Sequence, residues 1–464
     1  MNVCLLNDSF PPVIDGVANV VMNYADHLTR DHDARVTVAT PYYPQADDSA
    51  LSYPVVRFRS LGTEAVASGY RAGDPFETRA VAKLADFAPD ILHVHCPAAT
   101  NLLARLVREQ TGAPLVYTYH TKYNIDIERV IRIKPLAREV ISAMVDNIQA
   151  CDEVWVVSRG AGENLRELGY RGDYRVMPNG VDFERGRADQ EAVARATAAY
   201  DLPEHVPVYL FVGRIITYKG LPLILDALSH LAAAGKDFRM VFVGKGPDRE
   251  LLASRAASLG IGEKCIFTGP IYDRETLRAW NTRADLFLFP STFDTNGLVV
   301  REAAACGLAS VLVRGSCAAE DITDGQTGFL IDETAESLFQ CLLELSDRRE
   351  LTRRVGQRAM DEIYLSWGDC VTRAYHRYEA ILQAKAAGDW KPAPRQPGDL
   401  LLSLTARRME EQEKLRRLAQ SRLDPIRQAA AGMMENIQDR EERLVEFRRE
   451  LETTLLHKEP TERK

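Results

Sequence analysis

The chain runs through one pattern twice, and that repetition narrows the fold more than any other feature. Short apolar runs alternate with segments of helical period. The first series is Val3–Leu6, Arg35–Ala39, Val55–Phe58, Ile91–His95, Leu115–Tyr119 and Val154–Val157. The helix predicted between the first two, Gly16–Thr29, has its apolar positions at Val17, Val20, Val21, Tyr24 and Leu28. A second series follows at Val208–Val212, Met240–Val243, Cys265–Thr268, Leu286–Phe289, Ser310–Val313 and Phe329–Ile331. Parallel strands need a crossover between them, so strand–helix alternation of this kind builds a doubly wound parallel sheet. Two such arrays predict an α/β chain of two Rossmann-like domains facing each other, residues 1–178 and 183–365. The turn-rich Pro178-Asn-Gly-Val-Asp182 connects them.

Beyond the second array the chain turns helical, at Ala335–Leu345, Glu350–Glu362 and around Trp367 to Leu382. The last of these, within residues 366–384, is expected to return to the N-terminal domain. Residues 385–398 read as a linker from their Pro and Gly content, and 399–464 as a helical extension. In that extension Asp424-Pro425 is a good helix start. Ala430, Ile437, Leu444 and Leu451 recur every seven residues, but Arg440 and Thr454 spoil the second seam position. Packing against the body or a second copy of the chain is the expected role.

Composition excludes several function classes. A formal net charge of −8 over 464 residues gives no footprint for nucleic acid. The eight cysteines are scattered, without a CxxC or metal-ligand spacing. The first residues lack the basic and apolar regions of a signal peptide, and no apolar run has the length of a bilayer span. A reducing cytoplasm is the expected setting. Asp31-His-Asp33 imitates a DxD motif but falls in a turn ahead of a strand, and reads as solvated.

Chemistry concentrates on the loops that follow strands of the second array. Leu286–Phe289 ends at Pro290, and Gly297 opens a run of helix formers closed by Gly307. Asp294 therefore sits in a strand-to-helix loop and Glu302 inside the helix that follows. Open α/β sheets bind ligands at this edge. Alone, the pair could equally be a capping Asp and a solvated Glu. Gly213-Arg214-Ile-Ile-Thr-Tyr-Lys219-Gly220 also joins a strand to a helix, where glycines allow a tight turn and the cations can reach an anion. Gly244-Lys-Gly246-Pro follows another strand. Any one such loop is as often an ordinary turn, but several carrying complementary charges along one edge are not.

Taken together, Gly213-Arg214 with Lys219-Gly220, Gly244-Lys-Gly246-Pro, and Pro290-Ser291, Asp294, Gly297, Glu302-Ala and Gly307 resemble glycosyltransferase family 4. Phe10-Pro-Pro-Val-Ile-Asp-Gly16-Val and the Pro178–Asp182 connector extend the likeness over roughly residues 1–384. The resemblance implies the GT-B fold and retaining transfer of a hexose from a nucleotide sugar, UDP-hexose first, with neither metal nor cofactor. It implies that Arg214 and Lys219 bind the donor diphosphate and that Glu302 holds the ribose. Asp294 stands where the family has a Glu that contacts the donor sugar. Gly16 would bring backbone N–H groups to the phosphates, and Gly213, Gly244, Gly246, Asn296, Gly297 and Leu298 complete the donor side. His120, at the carboxyl end of a first-array strand, occupies a place where the family often has a histidine near the sugar; a loop histidine satisfied by hydrogen bonds is the alternative.

Two departures bear on the sugar. Asp294 is one methylene shorter than Glu, on the order of 1.5 Å, and Thr295-Asn296 replace the usual aromatic before Gly297. On the acceptor side, Lys122 to Arg138 interleaves cations with Val130, Ile131, Ile133 and Leu136. That segment is either a solvated helix with one buried face or a surface for an anionic membrane and a lipid acceptor. The context Tyr119-His-Thr-Lys-Tyr123 is similar to bacterial diacylglycerol glucosyltransferases, making a glycolipid the first expectation and a polysaccharide the second. A GT-B epimerase and a catalytically weak scaffold are the alternatives. His93 and His95 have no companion carboxylate or thiol, so no metal is expected there.

Overall fold

A computed structural model describes residues 1–13, 15–63, 70–396 and 398–421, with 442, 443, 445, 446 and 449 beyond them. The strands in chain order are β1 (Asn2–Leu6), β2 (Arg35–Pro41), β3 (Val55–Phe58), β4 (Ser60–Gly62), β5 (Arg71–Gly73), β6 (Ile91–Val94), β7 (Leu115–Tyr119), β8 (Glu153–Val156) and β9 (Arg175–Val176). Then follow β10 (Val208–Val212), β11 (Arg239–Val243), β12 (Cys265–Gly269), β13 (Leu286–Phe289), β14 (Ser310–Val313) and β15 (Phe329–Ile331). All but β4, β5 and β9 fall on the apolar runs.

They assemble into two parallel sheets, one of seven strands in the order β3-β2-β1-β6-β7-β8-β9 and one of six in the order β12-β11-β10-β13-β14-β15. Their central strands are mostly apolar and buried because helices cover both faces. β4 and β5 form a separate antiparallel pair. In each sheet the chain first winds one way and then the other. The switch points lie between β1 and β6 and between β10 and β13, where loops part to opposite faces and leave a crevice.

Each sheet has its own core. The second is packed around Phe211, Phe242, Phe287 and Trp280. The first includes Val3, Val21, Tyr24 and Trp155, and also Trp367, Val371, Tyr378 and Ile381 from the long helix Trp367–Ala387. That helix therefore packs on the first domain although it follows the second in sequence. Ser366 caps it by accepting from Asp369 N.

The Pro-rich stretch expected to be a linker is irregular but pinned. Ala393 N donates to Asp152 at 2.9 Å, and Asp399 forms an ion pair with Arg105 at 2.5 Å, both side chains buried. Composition could not show a partner almost three hundred residues away. Residues from Ser403 onward form a second unit, helical to 421 and paired internally by Glu413 with Arg416 and Arg417. The predicted Asp424-Pro425 start and the seam positions Ala430, Ile437, Arg440, Leu444, Leu451 and Thr454 lie outside the described residues, as does Ile14. No helix among the described residues is long and apolar enough to cross a membrane.

Candidate active site

The two loops at the switch point of the second sheet carry the central charges. After β10 the chain makes a single 3-10 turn, Thr217–Lys219, and Gly220 adopts φ +76° before the helix Leu221–Ala233. A Cβ at Gly220 would lie 2.6 Å from the carbonyl oxygen of Pro290, so only glycine lets this turn rest against the end of β13. That approach brings Lys219 Nζ to 2.8 Å from Asp294 Oδ1. Ser291 Oγ donates to the other oxygen, Oδ2, at 2.6 Å. Lys219 also stands 5.6 Å from the Phe289 ring centroid.

Gly297, at φ +57°, then starts the helix Leu298–Ala305 with no side-chain cap. No side chain caps its first turn, where Val300 N donates to Gly297 O at 2.8 Å, and an uncapped helix start of this kind favours negative charge. Leu298 and Val299 border a cavity of about 260 Å³ together with Lys219, Asp294, Thr295, Asn296 and Gly213.

The opposite wall comes from the first domain. Gly16, Val17 and Val20 belong to the helix Gly16–Asp31, whose cap Asp15 accepts from Val17 N and Ala18 N. A Cβ at Gly16 would meet no atom within 4 Å, so the space beside it is open. His120 follows β7 and reaches the same cavity. Two bonds join the halves here: Thr295 Oγ1 donates to His120 O at 2.7 Å, and Ser158 Oγ donates to Thr295 O at 2.5 Å. Thr295, noted in the sequence only as a departure, thus connects the two domains.

His120 is buried, and its Nε2 lies 3.0 Å from Nδ1 of His95. Burial pushes the His120 pKa down to about 3, so the ring is neutral at physiological pH. His93 is also held neutral by burial, and its two nitrogens meet Tyr378 Oη at 2.6 Å and Thr118 Oγ1 at 2.7 Å. Among the described residues no group of three or more His, Cys, Asp or Glu is placed to hold a metal ion.

The remaining predicted residues lie further out. Glu302 is on the helix Leu298–Ala305 but not in the cavity wall; its Oε1 accepts from Arg274 at 2.8 Å. Burial pushes its pKa up while the Arg274 guanidinium pulls it back. Arg274, stacked 4.5 Å over Phe183 and 3.6 Å from Asp182, was invisible in the sequence because its partners come from the connector and another helix. Asn179 of that connector also lines the cavity. Arg214 is exposed and outside the wall.

Gly244 and Gly246 do not line the cavity either. A Cβ on Gly244 would come within 1.9 Å of Gly213 O, and one on Gly246 within 1.9 Å of Ile215 O. Their role is to let the β11 loop run against the β10 loop, where Gly213 N donates to Val243 O and Ile215 N to Lys245 O, each at 3.0 Å.

The cationic segment of the first domain forms the helices Tyr123–Val130 and Lys134–Gln149. The second buries Ala137, Val145 and Ile148, yet Val130, Ile133 and Leu136 remain exposed beside exposed Arg132, Lys134 and Arg138. The side chain of Arg129 lies outside the described residues.

Comparison with known proteins agrees with this architecture on both halves. Residues 14–185 match the family model Glycosyltransferase Family 4, and residues 194–362 match Glycosyl transferases group 1. A GDP-mannose-dependent alpha-(1-6)-phosphatidylinositol monomannoside mannosyltransferase of Mycolicibacterium smegmatis is 27% identical over 71% of this chain and 85% of its own length. An alpha-monoglucosyldiacylglycerol synthase of Acholeplasma laidlawii is 23% identical over 77% and 92%. Among solved structures, HepE of Anabaena in complex with UDP superposes with a TM-score of 0.64 at 18% identity, over 82% of this chain and 100% of that one. Sucrose-phosphate synthase of Thermosynechococcus elongatus gives 0.63 at 19% identity, over 82% and 99%. The chain belongs to glycosyltransferase family 4 and is a hexosyltransferase with the GT-B fold.

Proposed function

We propose that this enzyme transfers a hexose from a nucleotide sugar to a lipid or saccharide acceptor, with retention of configuration and without a divalent metal. The observation that carries the proposal is Lys219 beside the uncapped start of the helix Leu298–Ala305, both on one interdomain cavity. Breaking the sugar–phosphate bond leaves a nucleoside diphosphate, and the developing charge must be met by fixed donors. Lys219 supplies a cation and the helix start supplies N–H groups and a positive dipole end. Arg214, on the same loop, would close on the phosphates when donor is bound. Glu302 would take the ribose hydroxyls, with Arg274 holding its carboxylate.

Asp294 has two tasks in this reading. A carboxylate offers about four acceptor positions. Lys219 and Ser291 use two of them, leaving capacity for a hydroxyl of the sugar. Gly16 leaves room for the phosphates, and His120 faces the sugar from the other domain.

For the donor, UDP-hexose is the working reading. GDP-mannose is its competitor, since the name of the mycobacterial relative specifies that donor. Lipid acceptors are favoured by the names of both relatives quoted above and by exposed Val130, Ile133 and Leu136 among cations, a surface suited to an anionic bilayer. The chain would then work as a peripheral protein on the cytoplasmic face. The experiment is a panel of UDP-glucose, UDP-galactose and GDP-mannose with EDTA present, with and without anionic lipid vesicles, following nucleotide release. Release that survives EDTA and is lost in Lys219→Ala supports the reading. Release that requires a divalent ion, or that yields only an epimerised sugar nucleotide, overturns it.

A further inference from the structure

We infer that His95 is a positioning residue: it fixes the tautomer of His120 so that His120 presents an N–H, not a bare nitrogen, to the donor cavity. This rests on the reading above that His120 faces the sugar. The argument is a count of protons and partners. His95 and His120 are both buried and both neutral, so each ring carries one N–H. His95 Nδ1 and His120 Nε2 are 3.0 Å apart. Two bare nitrogens at that distance would repel, and two N–H groups would collide. One proton therefore lies between them.

If the proton belongs to His120 Nε2, His95 carries its own on Nε2. That nitrogen is sealed from water and has no acceptor among the described residues. The protein would then bury an unpartnered N–H, the rarer and costlier kind of orphan. If the proton belongs to His95 Nδ1, His95 Nε2 is a bare nitrogen among rings, with Tyr24 edge-on at 5.5 Å and His93 at 4.1 Å. His120 then carries its proton on Nδ1, which is as sealed as His95 Nε2 and likewise without a protein partner, but which belongs to a residue lining the cavity, as His95 does not. This second arrangement leaves no donor unpaired once a sugar hydroxyl oxygen accepts from His120 Nδ1.

The surroundings hold His95 in place for this task. Its backbone N donates to Leu6 O at 2.9 Å, and its ring lies within 18° of the His120 plane with centroids 5.2 Å apart, edge to edge as an in-plane hydrogen bond requires. His93, two residues earlier and so on the same side, is fixed between Tyr378 and Thr118. The long C-terminal helix thus closes the back of the histidine group through Tyr378. The chemical consequence is selectivity for a group that accepts: a sugar hydroxyl or carboxylate oxygen at that position, never a cationic or purely donating substituent.

The test uses the full chain and three variants. Asn places its amide nitrogen near the position of His Nδ1, whereas Gln places its own near Nε2. Asn can therefore donate to His120 Nε2 in the same way. His95→Asn is expected to keep kcat within about threefold. His95→Gln and His95→Ala should each lose roughly tenfold or more in kcat, the scale of one misdirected donor, with smaller change in KM for the donor. Long-range 15N–1H spectra of histidine-labelled protein read the tautomer directly. His120 should be the Nδ1–H form in the native chain and in His95→Asn, and should shift toward Nε2–H in His95→Gln. Circular dichroism keeps misfolding apart from mispositioning. An Nε2–H form of His120 in the native chain overturns the inference, as does equal activity of the Asn and Gln variants. The underlying reading fails separately, if His120→Ala leaves donor turnover unchanged.

Discussion

Lys219 and Asp294 stand seventy-five residues apart in sequence and 2.8 Å apart in the cavity, one from each loop at the switch point of the second sheet. The ammonium is held by a carboxylate that is itself held by Ser291. A cation fixed in this way need not reorganise as charge develops on a leaving group, which is how preorganised sites gain their advantage.

Removing either end should therefore affect chemistry more than folding. Lys219→Ala and Asp294→Asn are each expected to reduce kcat by roughly 10²–10³, with thermal midpoints near that of the native chain. Nucleotide release in EDTA, beside a melting curve for each variant, measures both.

Two glycines that look alike in sequence should behave in opposite ways. Gly16→Ala adds a methyl to open space at the start of a helix, so stability should hold while KM for the donor rises. Gly244→Ala places a Cβ 1.9 Å from a carbonyl oxygen at φ +143°, and should cost about 3 kcal/mol. Denaturant midpoints and donor KM for the two variants make the comparison.

The buried pair Arg105–Asp399 ties the Pro-rich stretch to the first domain. Breaking it from one side leaves an uncompensated buried charge, so Arg105→Ala or Asp399→Ala should lose about 3–5 kcal/mol. A double replacement by apolar residues should recover much of that loss. Urea titration of single and double variants decides.

Acid should weaken the fold before it touches the carboxylates. His120 has its pKa lowered by burial from 6.5 to about 3, and burial pushes His93 and His95 down as well. Below the unfolded value the unfolded chain binds protons that the native chain refuses. Stability is thus complete above roughly pH 6.5 and falls as pH drops toward 3, by up to about 1.4 kcal/mol per pH unit for each such ring. Unfolding free energies at pH 7, 6 and 5 should show that slope, and His93→Gln should reduce it.

The exposed apolar residues of the cationic segment offer a fifth comparison. Ile133→Glu and Leu136→Glu lie on the surface, so the fold should be unaffected. Co-sedimentation with anionic vesicles should fall in both, while donor hydrolysis without lipid should not.

Local chemistry determined a great deal of this protein. The strand runs are apolar because both sheet faces are covered, and that is legible in any window of the chain. The two arrays, the connector at Pro178–Asp182 and the loops bearing Lys219 and Asp294 followed from the same local pattern. What escaped was whatever depends on residues distant in sequence. Gly213, Gly244 and Gly246 read as phosphate loops, but Gly244 and Gly246 serve the approach of one loop to another, because a glycine's reason lies in the atom its missing Cβ would strike. Thr295 bonds His120 O, Arg274 holds Glu302, Asp399 pairs with Arg105, and His95 meets His120; each contact joins elements that only the packed sheets bring together. Sequence placed Lys219, Asp294 and His120 in loops that follow strands. The tertiary structure decided which of them face the cavity and which hold the others still, since hydrogen bonds act over a few ångströms of space and not along the chain.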